Sequence, residues 1–369
     1  MSKIFRAIGA MTGTSMDAVD LAYLETDGLQ TLRFGPSASY PFSDEDRALL
    51  RRAVAAAKSL SRRDERPGPL AEAEYLITGR HIEVIQTFLA QFGLDAASVD
   101  LVGFHGQTVL HRPESGLTVQ LGDGALLARR IGIDVAYDLR AADIAAGGQG
   151  APLVPVYHRA LAEASGVATP LLFVNIGGVA NMTFVDAGAD PIACDAGPGN
   201  ALIDDLMFAH TGRAMDEDGA CALEGKVDEE ALAALMDHPY FAQKPPKSLD
   251  RNAFSAGPVE GLSLPDAAAT LAAFTASAII AHLPFLPAPP RLIVVCGGGA
   301  HNPALMQALA KRAPCPVRRA EDFGWESQAI EAQAFAFLAV RSVRGLPLTF
   351  PTTTGVSEPT TGGALAWAG

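Results

Sequence analysis

The stretch GAMTGTSMDAVD, residues 9–20, lies near the start of the chain between the apolar segments FRAI and LAYL. Glycines, hydroxyl side chains and aspartates meet here at a turn between two predicted strands. An Asn-Gly pair is enough to close an ordinary hairpin, so this composition suggests a further task. Binding phosphate without a lysine needs closely approaching backbone N–H groups and hydroxyl donors, and TGTS supplies both. A plain polar hairpin turn is the alternative interpretation.

A second stretch, LLFVNIGGVANMTFVD at residues 171–186, repeats this order of apolar run, Gly-rich turn and apolar run. Such a similarity between the two halves of a chain indicates an internal duplication. Two turns of this kind, facing each other across a cleft, would clamp a polyphosphate. Asp17 and Asp20 suit that site when Mg²⁺ is bound, because the ion keeps waters that a carboxylate can hold. A third glycine cluster, CGGGAHN at 296–302, opens a predicted helix, whose N-terminus favours negative charge.

Composition narrows the class of protein. The chain has 369 residues, is 49% hydrophobic and has a formal charge of −13, which allows two lobes with separate cores. The acidic balance, with no long run of Lys and Arg, argues against nucleic acid as a partner. Its 4 scattered cysteines predict neither disulfides nor a zinc site. The N-terminus lacks a signal-peptide core and no apolar run approaches about 18 residues, so we expect a cytoplasmic protein without a membrane span.

Helix-like and strand-like segments alternate along the chain, which predicts an α/β fold. The predicted helices cover residues 69–94, 263–283, 302–313 and 328–345, and short predicted strands cover 100–104 and 291–296.

We expect two lobes with a cleft between them. The N-terminal lobe is predicted over residues 1–138, rejoined by the C-terminal segment 350–369, and the C-terminal lobe over 139–349.

The stretch CDAGPGNALIDDLM begins at Cys194 and carries a candidate catalytic carboxylate. Asp195 stands just before a Gly-Pro-Gly turn, and a carboxylate held by rigid backbone suits general-base catalysis. Capping of the turn alone is the alternative role for Asp195. Asn200 is placed to cap the helix that follows.

Three other polar residues stand out. Arg140, in YDLRAADIAAGGQG, can bind a carboxylate or a phosphate through two hydrogen bonds, and Asp143 lies beside it in the same stretch. Glu331 lies among Ala and Phe and needs a ligand or an arginine as partner. The histidines of FHGQTVLH are predicted to be hydrogen-bonding or structural groups rather than metal ligands.

Common nucleotide and metal motifs do not occur in the sequence. GxxxxGK[ST] and HExxH are absent, and Asn302 stands where the dinucleotide fingerprint requires glycine.

In contrast, GAMTGTSMDAVD, FHGQTVLH, LGDG, YDLRAADIAAGGQGAPLVP, NIGGVANMT, CDAGPGNALID, CGGGAHNPAL and EAQAFAFLA follow one another along nearly the whole chain. In these motifs and their order the chain resembles the 1,6-anhydro-N-acetylmuramic acid kinase family. The resemblance implies a two-lobed, duplicated α/β fold of the actin/hexokinase (ribonuclease H-like) type with an interdomain cleft, and a homodimer.

The resemblance also implies a reaction in cell-wall recycling. ATP and water, with Mg²⁺, convert 1,6-anhydro-N-acetylmuramic acid into N-acetylmuramic acid 6-phosphate and ADP. Because this sugar has no free 6-hydroxyl, ring opening and phosphoryl transfer must be coupled. Asp195 stands at the family's catalytic position, where it would take a proton from the water that attacks C1, and O6 would then accept the γ-phosphoryl group.

The resemblance assigns further residues by their place in the motifs. The implied nucleotide-binding residues are Gly13, Thr14, Ser15, Met16, Asp17, Ala18, Val19, Asp20, Asn175, Gly177, Gly178, Asn181, Gly297, Gly298 and Gly299. The implied substrate-binding residues are His105, Gln107, Arg140 and Glu331. Asp17 is the implied holder of Mg²⁺, through water.

The chain departs from the family pattern SGTSxDGxD, with Thr12 for serine and Ala18 for glycine. Threonine keeps the hydroxyl. Alanine at position 18 fits only where φ is negative or no ligand atom passes close.

Two other functions stay open from the residues themselves. A carbohydrate hydrolase would use Asp195 and Glu331 as its carboxylate pair. A nucleotide-gated binding module would keep the glycine turns but would need neither Asp195 nor Arg140.

Overall fold

The structure, a computed structural model, describes residues 3–249 and 253–369. It contains two compact units. The first unit consists of Met1–Ser165 and Ala329–Gly369, and the second of Gly166–Gln328.

The first unit is built on a mixed sheet. Its strands are β1 (Phe5–Thr12), β2 (Ala18–Thr26), β3 (Leu32–Pro41), β4 (Leu101–Phe104), β5 (Gln107–Arg112), β6 (Leu117–Leu121), β7 (Val135–Tyr137) and, near the end of the chain, β13 (Ala364–Ala366). The sheet has the order β13-β7-β4-β1-β2-β3, and β5 pairs separately with β6. β1, β2 and β3 are antiparallel neighbours, whereas β4 and β7 join parallel to β1.

The second unit repeats this arrangement. Its strands are β8 (Leu171–Ile176), β9 (Val179–Val185), β10 (Ile192–Pro198), β11 (Leu292–Cys296) and β12 (Val317–Arg319). The order is β10-β9-β8-β11-β12, with an antiparallel β8-β9-β10 meander and with β11 and β12 parallel to β8. The series β3-β2-β1-β4-β7 in the first unit has the same order and directions. The predicted duplication of a ribonuclease H-like α/β unit is therefore confirmed, and so are the two predicted hairpins.

The helices cover these sheets. They are α1 (Asp44–Ala57), α2 (Pro69–Gln91), α3 (Gly124–Ile131), α4 (Ala141–Ala145), α5 (Pro155–Ser165), α6 (Ala201–Thr211), α7 (Ala220–Glu224), α8 (Glu229–Met236), α9 (Leu264–Ile280), α10 (Pro303–Arg312), α11 (Ile330–Val343) and α12 (Pro351–Thr354). Two helices of the second unit have side-chain caps at their N-termini. Ser263 accepts from the Asp266 N–H before α9, and the side chain of Asn302 accepts from the first turn of α10.

Helix α11 lies directly against the strands of the first unit. A methyl group on Gly9 would lie 1.7 Å from the carbonyl oxygen of Ala332, and one on Gly103 would lie 2.1 Å from that of Phe335. Gly9 and Gly103 are register partners on β1 and β4, and Ala22 of β2 is the next member of the same cross-strand row. This row of small residues lets the backbone of the helix approach the backbone of the sheet.

The two units differ in their limits from the predicted lobes 1–138 and 139–349. Helix α11 belongs to the first unit because it packs on β1 and β4. Helix α5 belongs there too, since Tyr157 donates a hydrogen bond to Oε1 of Gln333 on α11 (2.8 Å). Helical periodicity predicted that α11 exists but not which sheet buries it.

Of the residues that the structure describes, one helical stretch is long and apolar enough to cross a membrane, Leu264–Phe285. It is 67% buried within its most apolar window. Leu271 and Phe274 of this stretch are members of the apolar core of the second unit. Its composition is therefore that of a core helix.

We predict that Gly9→Ala strongly destabilises the first unit. The added methyl group meets a backbone carbonyl, which cannot rotate away, so the free energy of unfolding should fall by about 3 kcal/mol or more. Denaturant unfolding of the purified variant measures this. Gly79→Ala is the matched control, because Gly79 lies in α2 with no atom near its missing methyl group. It should stabilise the protein by up to about 1 kcal/mol. Equal stability of the two variants would contradict the proposed contact.

Candidate active site

The tip of the first hairpin presents polar groups to solvent. Between β1 and β2, Thr14 and Ser15 form an exposed turn, closed by a hydrogen bond from the Met16 N–H to the Gly13 carbonyl (3.2 Å). Met16 has a φ of 59°, so a left-handed residue other than glycine stands in the turn. Asp17 follows and is exposed. The tip thus offers backbone N–H groups, hydroxyls and a carboxylate at the positions predicted for phosphate and Mg²⁺.

The backbone at the start of β2 shows whether alanine fits at position 18. Among the described residues other than glycine, those with a positive φ are Met16, Asp138 and Asp218, so Ala18 has a negative φ. An alanine therefore introduces no backbone strain at this position. The side chain of Val19 is fully buried in the core, which leaves only its backbone available to a nucleotide.

The chain after β4 supports the hairpin tip. Thr12 donates its hydroxyl to the Gly106 carbonyl (2.6 Å), and Gln107 donates its Nε2 to the Gly13 carbonyl (3.2 Å). The Gln107 side chain is fully buried, and its Oε1 meets no donor among the residues described. In this structure Gln107 therefore contacts the predicted phosphate turn directly.

Arg140 is held against His105. Its Nε and Nη2 donate to His105 Nε2 at 3.3 and 3.0 Å, and its Nη1 donates to the Gly150 carbonyl at 2.8 Å. Because a guanidinium only donates, the ring nitrogen accepts, and the neutral imidazole carries its proton on Nδ1. Burial and the neighbouring guanidinium hold the pKa of His105 well below its ordinary value. Burial lowers the pKa of Arg140 to about 10, against the opposing effects of Glu331 and Asp143.

Carboxylates from two elements lie near this arginine. Glu331 stands in the first turn of α11, and burial raises its pKa, while Arg140 lowers it and Asp20 raises it further. Burial also raises the pKa of Asp20, which the Ser39 hydroxyl opposes and Asp17 reinforces. In the first unit, electrostatic effects thus link Asp17 with Asp20, Asp20 with Glu331, and Glu331 with Arg140. Arg140 acts on Glu331 through its charge. That Glu331 needs a ligand or an arginine as partner stays a prediction.

In the second unit, three polar residues form a row across the sheet, which we call the polar row. Asp195 of β10 is the register partner of Asn181 of β9, which is the partner of Asn175 of β8. Their strand neighbours Cys194, Ala180 and Val174 belong to the apolar core on the other face. All three polar side chains are partly exposed. Residues from two separate motifs thus lie side by side on one face.

Asp195 lies inside β10, which continues through Gly197 and Pro198 with a bulge between Asp195 and Gly197. The Gly-Pro-Gly turn predicted to follow Asp195 is therefore wrong, because most of it is strand. Hydrogen bonds to residues outside the sheet hold Asp195 in place. Its Oδ2 accepts from the Leu249 N–H (2.7 Å), and its carbonyl oxygen accepts from the Tyr240 hydroxyl (2.7 Å). Its N–H donates to the Lys247 carbonyl (3.0 Å).

This environment changes the acidity of the carboxyl group. Burial raises the pKa of Asp195 to about 6, and the hydrogen bond from Leu249 opposes the increase. Lys247, itself buried, donates its Nζ to the Tyr240 carbonyl (2.6 Å) and lies 4.0 Å from the centre of the Tyr240 ring. Sequence reasoning missed Tyr240, Lys247 and Leu249 because no motif connects them with Asp195, which lies at least 45 residues away.

The glycine clusters of the second unit meet at the ends of β8 and β11. A methyl group on Gly297 would lie 2.1 Å from Oδ1 of Asn175, and the Asn200 N–H donates to the Gly177 carbonyl (2.7 Å). Asn200 stands at the N-cap position of α6, but its side chain does not cap the helix, contrary to the prediction. Its Nδ2 donates to the Ile176 carbonyl instead (3.5 Å). The asparagine therefore binds the glycine turn after β8 rather than closing the helix.

Comparison with known proteins decides the family. The family model described as "Anhydro-N-acetylmuramic acid kinase" matches residues 5–368. The chain belongs to the anhydro-N-acetylmuramic acid kinase family. It is thus a phosphotransferase with an alcohol group as acceptor, as the resemblance implied.

Relatives in this family cover the whole chain. The anhydro-N-acetylmuramic acid kinase of Rhodopseudomonas palustris (strain HaA2) is 54% identical over 361 residues, which are 98% of each chain. That of Methylobacterium nodulans is 53% identical over 372 residues, which cover 98% of this chain and 99% of the relative. Among solved structures, component A of the (R)-2-hydroxyglutaryl-CoA dehydratase of Acidaminococcus fermentans is 13% identical, with a TM-score of 0.48 over 92% of this chain and 99% of the other. The fold assignment rests on the strand order of the two units.

The residues of this kinase suit a magnesium ion that is held mainly by phosphate. Among the described residues, no three His, Cys, Asp or Glu side chains are grouped as a ready metal site. Asp17 is exposed at the hairpin tip and Asp20 is near it. Such carboxylates hold waters of Mg²⁺ while phosphate oxygens take the other positions. The donor set thus fits an ion that arrives with its nucleotide.

We predict that the Asp195 carboxyl group titrates at about pH 6, well above the ordinary aspartate value of about 3.9. The cause is burial, so the group stays partly protonated at pH values where exposed aspartates are ionised. Carbon-13 NMR of labelled aspartates, followed from pH 3 to 8, measures it. Asp195→Asn identifies the signal, because the amide oxygen can still accept from Leu249. Titration of the identified signal near pH 4 would contradict the effect of burial.

Proposed function

We propose that this protein opens 1,6-anhydro-N-acetylmuramic acid with water and phosphorylates O6, forming N-acetylmuramic acid 6-phosphate and ADP in peptidoglycan recycling. In this reaction water adds to C1 as the C1–O6 bond breaks. O6 then forms a bond to the γ-phosphorus as the bond to the β-phosphate oxygen breaks. Family membership supports this reaction. The single observation that supports Asp195 as the general base is the environment of its carboxyl group.

Asp195 takes the proton of the attacking water in this proposal. A general base works best when its pKa lies near the working pH, and burial brings that of Asp195 to about 6. Hydrogen bonds on its side chain, its N–H and its carbonyl oxygen hold the direction of the carboxylate. Asn181 and Asn175 continue the polar row and supply amide groups for the nucleotide phosphates.

The sugar is held by residues of the first unit. Arg140 keeps its charge at neutral pH and suits the carboxylate of the muramic acid side chain. Glu331 and the neutral His105 supply acceptors and donors for the ring substituents. Gln107 acts on the phosphate turn through its hydrogen bond to Gly13.

The glycine-rich turns of both units bind ATP in this proposal. The N–H groups and hydroxyls of residues 13–15 bind phosphate oxygens, and Asp17 holds Mg²⁺ through water. Asn175, Gly177, Gly178 and Asn181 bind the phosphates from the second unit, and residues 297–299 lie against the adenosine. Mg²⁺ neutralises charge on the phosphates during transfer.

A coupled assay tests the function. The protein is incubated with Mg-ATP and the anhydro-sugar, and ADP and sugar phosphate are measured together, with each substrate omitted in turn. Equal amounts of both products are expected. Sugar opening without ADP would identify a hydrolase, and ADP without a sugar product would identify a nucleotide-gated module.

We predict that Asp195→Asn lowers turnover by about 10³-fold, because the amide cannot accept the proton of water. Nucleotide affinity should stay within about twofold, since a general base contributes to proton transfer and not to ground-state binding of ATP. Steady-state kinetics and titration calorimetry with a non-hydrolysable ATP analogue measure the two effects. Turnover like that of wild type would remove Asp195 from the mechanism.

We predict that Ala18→Gly leaves the KM for ATP within about twofold of wild type. The negative φ of Ala18 means that glycine offers no conformational advantage there. Initial rates at varied ATP and saturating sugar measure it. A KM that falls by about tenfold would show that the methyl group obstructs the nucleotide.

We infer further that the protein acts in the cytoplasm as a homodimer. The free state of Cys194, Cys221 and Cys315 suits a reducing compartment. The homodimer rests on family membership, and light scattering of the purified protein tests it.

A further inference from the structure

The stretch TTTG near the end of the chain carries no recognisable motif, yet it contacts the sugar-binding arginine through a buried chain of hydrogen bonds. Thr354 of α12 donates its hydroxyl to Asp143 Oδ2 (2.6 Å). Asp143 Oδ1 accepts from the Gly150 N–H (2.5 Å), and the Gly150 carbonyl accepts from Arg140 Nη1 (2.8 Å). Thr354 and Asp143 are 0% and 2% exposed, so water does not compete for these bonds.

A second contact ties the same elements together. The Thr354 carbonyl accepts from the Gln149 N–H (2.8 Å), so Thr354 holds the glycine-rich loop 147–150 by its backbone as well as by Asp143. Within this loop, a methyl group on Gly148 would lie 2.3 Å from Asp143 Oδ1. The loop therefore has little freedom around the carboxylate.

We propose that Asp143 and Thr354 are positioning residues for Arg140. They place the Gly150 carbonyl, which determines the direction of Nη1, while Nε and Nη2 remain on His105. This pair of anchors orients the plane of the guanidinium toward a carboxylate-bearing sugar. The inference rests on the proposed function in so far as Arg140 binds that sugar, and neither Asp143 nor Thr354 touches the substrate.

Thr354→Val removes the hydroxyl and keeps the shape of the side chain. The KM for the sugar should rise about tenfold, the usual effect of losing a hydrogen bond to a charged group, while the KM for ATP stays within about twofold. Thr354→Ser should restore the sugar KM. Thr353→Val is the matched control, because Thr353 is similarly buried in α12 and, among the described residues, its hydroxyl bonds to the Phe350 backbone and not to Asp143. A merely structural effect would move both KM values together or would be equal in the two valine variants.

A double variant tests whether the effect of Thr354 on the sugar KM depends on Arg140. In an Arg140→Lys background the guanidinium plane no longer exists, so Thr354→Val should add less than about twofold to the sugar KM. A full further tenfold rise in the double variant would overturn the positioning role.

A readout without sugar separates this proposal from the proposed function. Hydrogen exchange at the Arg140 Nε–H, followed by nitrogen-15 NMR and identified with Arg140→Lys, should be about tenfold faster in Thr354→Val and unchanged in Thr353→Val. Unchanged exchange in Thr354→Val contradicts the positioning role, whatever the protein phosphorylates. Faster exchange in a protein that forms no sugar phosphate would contradict the proposed function alone.

Discussion

The contact between helix α11 and the glycines of β1 and β4 is the constraint on which the first unit depends. Gly9 and Gly103 are neighbours in the parallel register, and each faces a backbone carbonyl of the helix. No side chain separates the two layers at these points. Because close-packed backbones cannot absorb an added methyl group, the position of the helix on the sheet is determined to within a fraction of an ångström. Glu331, in the first turn of α11, takes its place from that contact.

The same contact explains how remote parts of the chain form one polar centre. Asp20 lies two residues before Ala22, the register partner of Gly9, His105 lies two residues after Gly103, and Glu331 directly precedes Ala332. Once the helix lies on the row of small residues, Glu331 is near Asp20 and Arg140, and Arg140 is near His105, as their effects on pKa indicate. The core contact and the functional residues are adjacent in sequence, so a single packing interaction positions several groups.

The second unit reaches a comparable result by other contacts. Its polar row depends on strand register, since Asp195, Asn181 and Asn175 are partners across three strands. The carboxylate is then held by Leu249 and its backbone by Tyr240 and Lys247, which come from outside the sheet. Duplication has thus preserved the strand order of the two units, while each unit has acquired its own polar groups. One unit carries an arginine with two carboxylates nearby, and the other carries a carboxylate with an elevated pKa.

The sequence by itself determined the α/β class, both Gly-rich hairpins, the duplication, the long helices and the family, because these depend on local periodicity, local turn chemistry and motif order. It also identified Asp195, Arg140 and Glu331 as chemically unusual. Only the tertiary structure decided which sheet buries α11, that Asp195 lies in a strand, that Asn200 binds the turn after β8, and that Thr354 reaches Arg140 through Asp143 and Gly150. These features depend on contacts between residues far apart in the chain, and neither hydrophobic spacing nor residue type carries information about such pairs.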